Sequence, residues 1–236
     1  VRAYPKRILA WHEMVRDTIA GRELNGVYCT LCGSMILYDT TVDGVHHELG
    51  TSGFLYRSNK LMYDAETQSL WSTLEGRPVI GPLAAQQISL PTFEVVTTTW
   101  GEWRRRLPGT SVLSLATGFN RDYAEGEAYR IYFATDALMF PVPGNDNRLR
   151  NKQEVLVPRF GKPDEKPLAI GSDYLKRHPA WHGRYGGEDQ RRRICADFDQ
   201  PVASADFSLA RIRSCNWLLA DPPRMSTSLT CTSYHR

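Results

Sequence analysis

The sequence predicts a β-rich α+β fold, a meandering and mostly antiparallel sheet or small barrel carrying short helices. Three observations lead there. Short runs rich in Val, Ile, Leu, Tyr and Phe recur through about residue 160, separated by Gly, Asp, Asn and Pro. The runs between residues 53 and 80 are each three to five residues long and divided by turn chemistry, which suits consecutive strands of a meander or small barrel. Helical readings are confined to two short stretches.

The first of these, residues 8–15, places apolar residues at helical spacing, and Asp17 to Gly21 ends it through a turn. Val27 to Cys32 follows, and Met35 to Asp39 reads as a strand that turns at Asp43-Gly44 into Val45 to Leu49, a hairpin signal. Gly53 to Tyr56, Lys60 to Asp64, Ser69 to Ser72 and Pro78 to Ile80 supply the meander. Residues 99–108 mix tryptophans with charge and stop at Pro108, a second short helix. Val112 to Leu115 returns to the sheet. Residues 118–149, with Tyr123, Tyr129, Tyr132, Phe133 and Phe140 among glycines and prolines, read as a long loop wrapped over the domain.

Length and composition bound the class. The 236 residues, 42% hydrophobic and 23% charged, suit one large globular domain or two small ones. No apolar run approaches the roughly 20 residues of a membrane span, and the mean hydropathy of −0.41 agrees. A net charge of +3 from 29 basic and 26 acidic residues gives no electrostatic reason to propose nucleic acid. Five cysteines leave at least one without an intramolecular disulfide partner. The chain begins at Val1, which suggests a processed, trimmed or fragmentary product.

Residues 1–160 are read as one β-rich domain. Beyond about residue 185 the alternation of strands and turns fades, and 188–236 read as an irregular tail carrying Arg191 to Arg193, Asp221-Pro222-Pro223 and three of the cysteines, Cys195, Cys215 and Cys231. Out-of-frame translation is one account of that tail, which the encoding DNA read in the other two frames would decide.

The strongest chemical signal is Cys29-Thr30-Leu31-Cys32. Two thiols at this spacing can ligate a soft metal ion, form a disulfide or redox pair, or lie buried and inert. A thioredoxin-type motif would open a helix, whereas strand-like residues follow here. His12, on the first helix, is either a structural histidine or, folded back, a third ligand to copper or zinc. Met62 is either core or a thioether that would bias the site to copper. Glu13 accompanies His12. His46-His47 reads as a solvent-facing pair, since neighbouring strand residues face opposite sides. Ser58, Asn59 and Asp64 gather polar groups between two turns. Asp64 is either a base or ligand oriented by Ser58 and Asn59, or a turn carboxylate accepting backbone amides. Arg104 to Arg106 read as a solvated helix face. No nucleophile elbow, phosphate loop, dinucleotide fingerprint or zinc-protease helix occurs, so hydrolase and nucleotide-cofactor readings lack specific support.

An ordered succession of segments resembles the bacterial domain of unknown function 3179. The segments are Ala3-Tyr4-Pro5 with Trp11-His12-Glu13 and Asp17-Thr18, Tyr28-Cys29-Thr30-Leu31-Cys32-Gly33, Thr51-Ser52-Gly53 through Ser58-Asn59, Leu61-Met62-Tyr63-Asp64, Thr67 to Trp71, Gly76 with Gly81-Pro82-Leu83, and Trp100 with Trp103. The resemblance implies a fold family and no reaction. It implies an exported protein, periplasmic, secreted or lipid-anchored, in which a Cys29–Cys32 disulfide is chemically possible. Similar proteins repeat a helix-turn entry motif in their second half. Leu168-Ala169-Ile170 with Leu175 to Pro179 and Gly186-Gly187 resembles its start, so 161–187 is read as a truncated second half.

The functional expectation is an extracytoplasmic centre built on Cys29 and Cys32, with His12 and Met62 nearby, binding copper or zinc. The alternatives are a thiol–disulfide redox protein and a non-enzymatic binding or scaffold module, with Tyr56, Trp71, Trp100 and Trp103 forming a ligand face or simply the core.

Overall fold

A computed structural model describes residues 1–144, 147–157 and 168–178, and the backbone of three further strands. In chain order the elements are β1 (Arg2–Ala3), α1 (Lys6–His12), β2 (Met14–Ile19), β3 (Arg22–Cys29), β4 (Ser34–Asp39), β5 (Thr41–Val42), β6 (Val45–His46), β7 (Leu49–Tyr56), β8 (Asn59–Asp64), β9 (Leu70–Ser72), β10 (Arg77–Ile80) and β11 (Thr92–Phe93). There follow α2 (Trp100–Arg106), β12 (Ser111–Val112), α3 (Arg130–Phe133), β13 (Val155–Leu156), β14 (Ile170–Gly171), α4 (Ser172–Arg177), β15 (Ala180–Tyr185), β16 (Arg192–Phe198) and β17 (Ala210–Ser214). The fold is β-rich with short helices, as expected. Of the two expected forms the meander is the one built, and no closed barrel forms among the described residues.

Two four-stranded antiparallel sheets dominate, with strand orders β11-β4-β3-β2 and β10-β9-β8-β7. Strand alternation sends Val27, Ile36 and Tyr38 inward from the first sheet, and Leu49, Met62 and Trp71 inward from the second. These six join Leu90 in one core. Met62 is therefore part of the apolar layer between the sheets and is fully buried. Cys29 lies two residues beyond Val27, so it continues the inward face at the end of β3, opposite Ser34 on β4. Lys60 lies two residues before Met62 and enters the same layer from β8.

Turn chemistry sets these registers. Ala20-Gly21, Asp43-Gly44 and Arg57-Ser58 each form a two-residue hairpin loop with both central residues at positive φ, which matches the right-handed twist of the flanking strands. The Asp43-Gly44 turn was legible, although it joins the short β5 and β6 and does not extend β4. The Arg57-Ser58 turn lacks the glycine or asparagine that such loops favour, and it holds two side chains in a costly backbone region.

The first helix is shorter than its apolar spacing predicts. Glu13, at φ 62°, donates its N–H to the Leu9 carbonyl and closes α1, and residues 14–19 pair with β3. The tertiary pairing prevails because alternation suits two cores at once: Met14 packs on the core between the sheets, whereas Val15 joins Leu9, Tyr28 and Met35 on the opposite face. The second helix forms with Thr99 accepting the Glu102 N–H, and Arg104 to Arg106 are exposed. Residues 118–149 contain the short α3, and within them 145 and 146 lie outside the described residues.

The expectation that His46 and His47 both face solvent is corrected for His47, which is 5% exposed. Its Nδ1 lies 2.9 Å from Asp64 Oδ2 and its ring packs against Trp71 at 4.9 Å. Asp64 also accepts from the Thr67 hydroxyl and the Glu66 amide, the turn role foreseen for it. Burial alone would raise the Asp64 pKa, but hydrogen bonds from His47, Thr67 and the Glu66 amide hold it below the ordinary carboxylate range. A depressed folded-state pKa adds stability that is present above about pH 4 and is lost as pH falls through the folded value. The unfolding temperature is therefore expected to drop as pH is lowered from about 5 to 3. In Asp64→Asn, which has no proton to take up at this position, thermal unfolding across that range should give a visibly shallower drop.

In the second half β14 leads into α4, and β15, β16 and β17 pair in sequence as an antiparallel sheet. This repeats the order of β1, α1 and the three strands β2, β3 and β4. The boundary read at residues 160 and 161, and most of the tail read at 188–236, lie outside the described residues.

Candidate dithiol site

Cys29 ends β3, Thr30 to Gly33 make the loop, and Ser34 opens β4. The Cys29 carbonyl accepts the N–H groups of Cys32 and Gly33 at 3.2 and 2.8 Å, and Gly33 supplies the positive φ that returns the chain. Thr30 donates its hydroxyl to the Ala10 carbonyl, fixing the loop to α1. This geometry brings the two sulfurs to 2.8 Å from each other as free thiols, both buried.

The strained β7–β8 turn supplies the other half of the site. Three consecutive residues wrap the sulfurs: the Ser58 carbonyl stands 3.9 Å from Cys32 Sγ, Asn59 Nδ2 donates to Cys32 Sγ at 2.8 Å, and the Lys60 backbone N–H reaches Cys29. The Cys29 thiol is pushed down to about 7. The Cys32 thiol donating to it is the main cause, and the amides of Lys60, Cys32 and Leu31 add to this against the opposing effect of burial. Cys32 moves the other way, because its proton is held in the bond to Cys29 and because it is buried, with Asn59 opposing. Hydrogen bonds from Cys32 and the backbone amides thus favour negative charge on Cys29 over Cys32.

Lys60 places a buried cation beside that charge. Its Nζ donates to Glu13 Oε2 and to Thr51 Oγ1, both at 2.5 Å. Burial pushes its pKa down, while Glu13 and Cys29 pull it back up. Nothing in the residues around the Cys-x-x-Cys motif announces Lys60. The available signal was an inward-facing lysine on the strand of Leu61 and Met62, an arrangement that requires a partner.

The other expected site residues separate into two groups. Asn59, Ser58 and Glu13 belong to the dithiol surroundings. His12 Nε2 is instead 2.5 Å from the Tyr123 hydroxyl, with its ring against Phe119, and Met62 and Asp64 sit deeper, in the core and its polar edge. Among the described residues no group of three His, Cys, Asp or Glu side chains is arranged to hold a metal ion. Of the aromatics read as a ligand face or as core, Trp71 is in the core, while Trp100 is exposed on α2 and the Trp103 indole donates to Thr110.

Two tyrosines of the long loop, Tyr129 and Tyr132, feel the charge of the site. Burial raises the pKa of both Tyr129 and Tyr132, and negative charge on Cys29 adds to it in each case, with Glu13 contributing at Tyr129 and Cys32 at Tyr132. The long loop meets the surroundings of the site at Pro141, whose carbonyl accepts the Ser58 hydroxyl.

Among the described residues no helix is long and apolar enough to cross a membrane. A family model described as a protein of unknown function, DUF3179, matches residues 1–221. No match to the chain was found among curated proteins or among solved structures.

Proposed function

Because the chain belongs to the DUF3179 family, whose description names no activity, we propose a function from the site itself: Cys29 and Cys32 bind one soft metal ion, copper or zinc, between two thiolates. The observation that carries this reading is the distribution of N–H donors. Backbone amides point to Cys29 and the Asn59 amide points to Cys32, so both sulfurs have partners suited to negative charge. Thiol–disulfide exchange needs one stabilised thiolate, whereas a metal ion needs both. Thiolates select copper(I) and zinc among the common ions. The motif also joins two strands instead of opening a helix.

Asn59 Oδ1 and Ser34 Oγ are buried beside the sulfurs without a hydrogen-bond partner among the described residues. They would orient a water or other ligand atom at a third position. The Lys60 ammonium would offset part of the thiolate charge. His12 and Met62 enter this reading as ligands only by leaving Tyr123 and the core, so the two sulfurs are its primary ligands. The family resemblance extends the reading to an exported protein.

Elemental analysis of reduced protein purified without a histidine tag tests this. Wild type is expected to retain about one equivalent of copper or zinc per chain, and Cys29→Ser to retain almost none. Metal-free wild type, or equal retention by the variant, would remove the proposal. One observation favours thiol–disulfide exchange as the second reading, the 2.8 Å approach of two buried free thiols. A reversible two-electron reduction of the pair in metal-free protein would support it.

A further inference from the structure

The two sulfurs are 2% and 6% exposed by residue, so a metal ion, a thiol or a disulfide from solution cannot reach them in this arrangement. We propose that residues 117–142 are a lid over the Cys29–Cys32 pair, latched through Trp11 and His12, and that its opening admits the ligand. This goes beyond the metal reading and holds equally for thiol–disulfide exchange, since both need access to the same sulfurs.

The lid is distinct from the sheets in how it is held. Backbone hydrogen bonds such as Thr117 to Leu115, Glu127 to Ala124, Arg130 to Glu127 and Ala134 to Arg130 close within the segment or its immediate flank. Its ties to the rest of the protein run through side chains, among them Arg7 to Glu125, Asn151 to the Asp136 carbonyl and Lys152 to the Tyr132 and Thr135 carbonyls. Trp11 Nε1 donates to the Asp122 carbonyl at 2.7 Å, His12 Nε2 meets the Tyr123 hydroxyl, and that hydroxyl also contacts Thr117 Oγ1 at 2.7 Å. At the far end Ser58, in the strained turn beside Cys32, donates its hydroxyl to the Pro141 carbonyl. Between these ends lie Tyr129 and Tyr132, the phenols that feel the thiolate charge. Tyr129 is itself held at φ 60°, a costly conformation for a tyrosine, at the entry to the single turn of α3. A segment fixed by side-chain bonds, with its backbone outside the sheet ladders, can open locally without unfolding the sheets, because local opening free energies fall well below the global value. His12, read from the sequence as a candidate ligand, acts here as the latch.

The test is alkylation of the reduced full chain by dilute iodoacetamide under native conditions, with Cys29 and Cys32 quantified by peptide mass spectrometry apart from the other cysteines. If opening limits access, Tyr123→Phe and Trp11→Phe, each of which keeps a ring and loses one hydrogen-bonding group, should speed labelling about fivefold, the effect of one net hydrogen bond on an opening equilibrium. Unchanged labelling rates in both folded variants would overturn the lid. Should the variants fail to fold, amide exchange of wild type decides: residues 117–142 are expected to exchange well before β3 and β4, and equal protection would overturn the proposal.

Discussion

Trp71→Ala is expected to destabilise the protein by about 3–5 kcal/mol, the range for removing a fully buried large aromatic side chain. Trp71 is 0% exposed, pairs across β8–β9 with Met62, and packs its ring against His47. It belongs to the layer where Val27, Ile36 and Tyr38 of one sheet meet Leu49 and Met62 of the other. Its removal leaves a cavity between two hydrogen-bonded sheets that cannot close together without losing register. Since whole domains are stable by about 5–15 kcal/mol, the variant should sit near the limit of folding. Chemical denaturation would measure the loss, with Trp71→Phe retaining most of the wild-type stability. A loss below about 1.5 kcal/mol for the alanine variant would contradict this account of the core.

Lys60→Met is expected to cost about 3 kcal/mol, because removing one partner of a largely buried ion pair strands the other. The Lys60 side chain is 5% exposed and Glu13 26%, with Nζ and Oε2 at 2.5 Å. The methionine would preserve volume but leave the Glu13 carboxylate and the Thr51 hydroxyl without their ammonium donor. Adding Glu13→Gln removes the stranded charge, so the double variant should recover part of the loss, and a double-mutant cycle would show the coupling. The same substitution takes a cation from beside Cys29, so alkylation of Cys29 near pH 7 should slow. A fully additive cycle would mean that the contact does not act as an ion pair.

Local pattern was sufficient for much of the meander. The runs at 53–56, 60–64, 69–72 and 78–80 anticipated β7 to β10 because each strand is bounded by its own turn chemistry, and a turn is decided within a few residues. The helix predicted over 8–15 exceeds the observed one for the complementary reason: apolar spacing reports burial, and Met14 and Val15 are both partly buried, yet on opposite faces of a strand. The solvent-facing reading of His47 fails because its environment is Asp64 and Trp71, which are 17 and 24 positions away.

The candidate site divides along the same line. Cys29 and Cys32 were legible as a pair because three positions of spacing already bring two thiols together. Asn59, Ser58 and Glu13 were legible as chemistry-bearing residues without their contacts. Lys60 as the buried cation, His12 as a partner of Tyr123, Met62 as core, and the charge felt by Tyr129 and Tyr132 were decided by packing.

By itself, then, the sequence determined the strand-rich class, the meander, the Cys-x-x-Cys loop and the family resemblance, all carried by neighbours in the chain or by an ordered succession of short segments. Tertiary structure decided which side chains share the space around that loop. The β7–β8 turn meets the β3–β4 loop only when two sheets pack face to face, and Pro141, 83 residues beyond Ser58, meets that turn. Contacts across such separations depend on sheet register and burial, which no local pattern encodes.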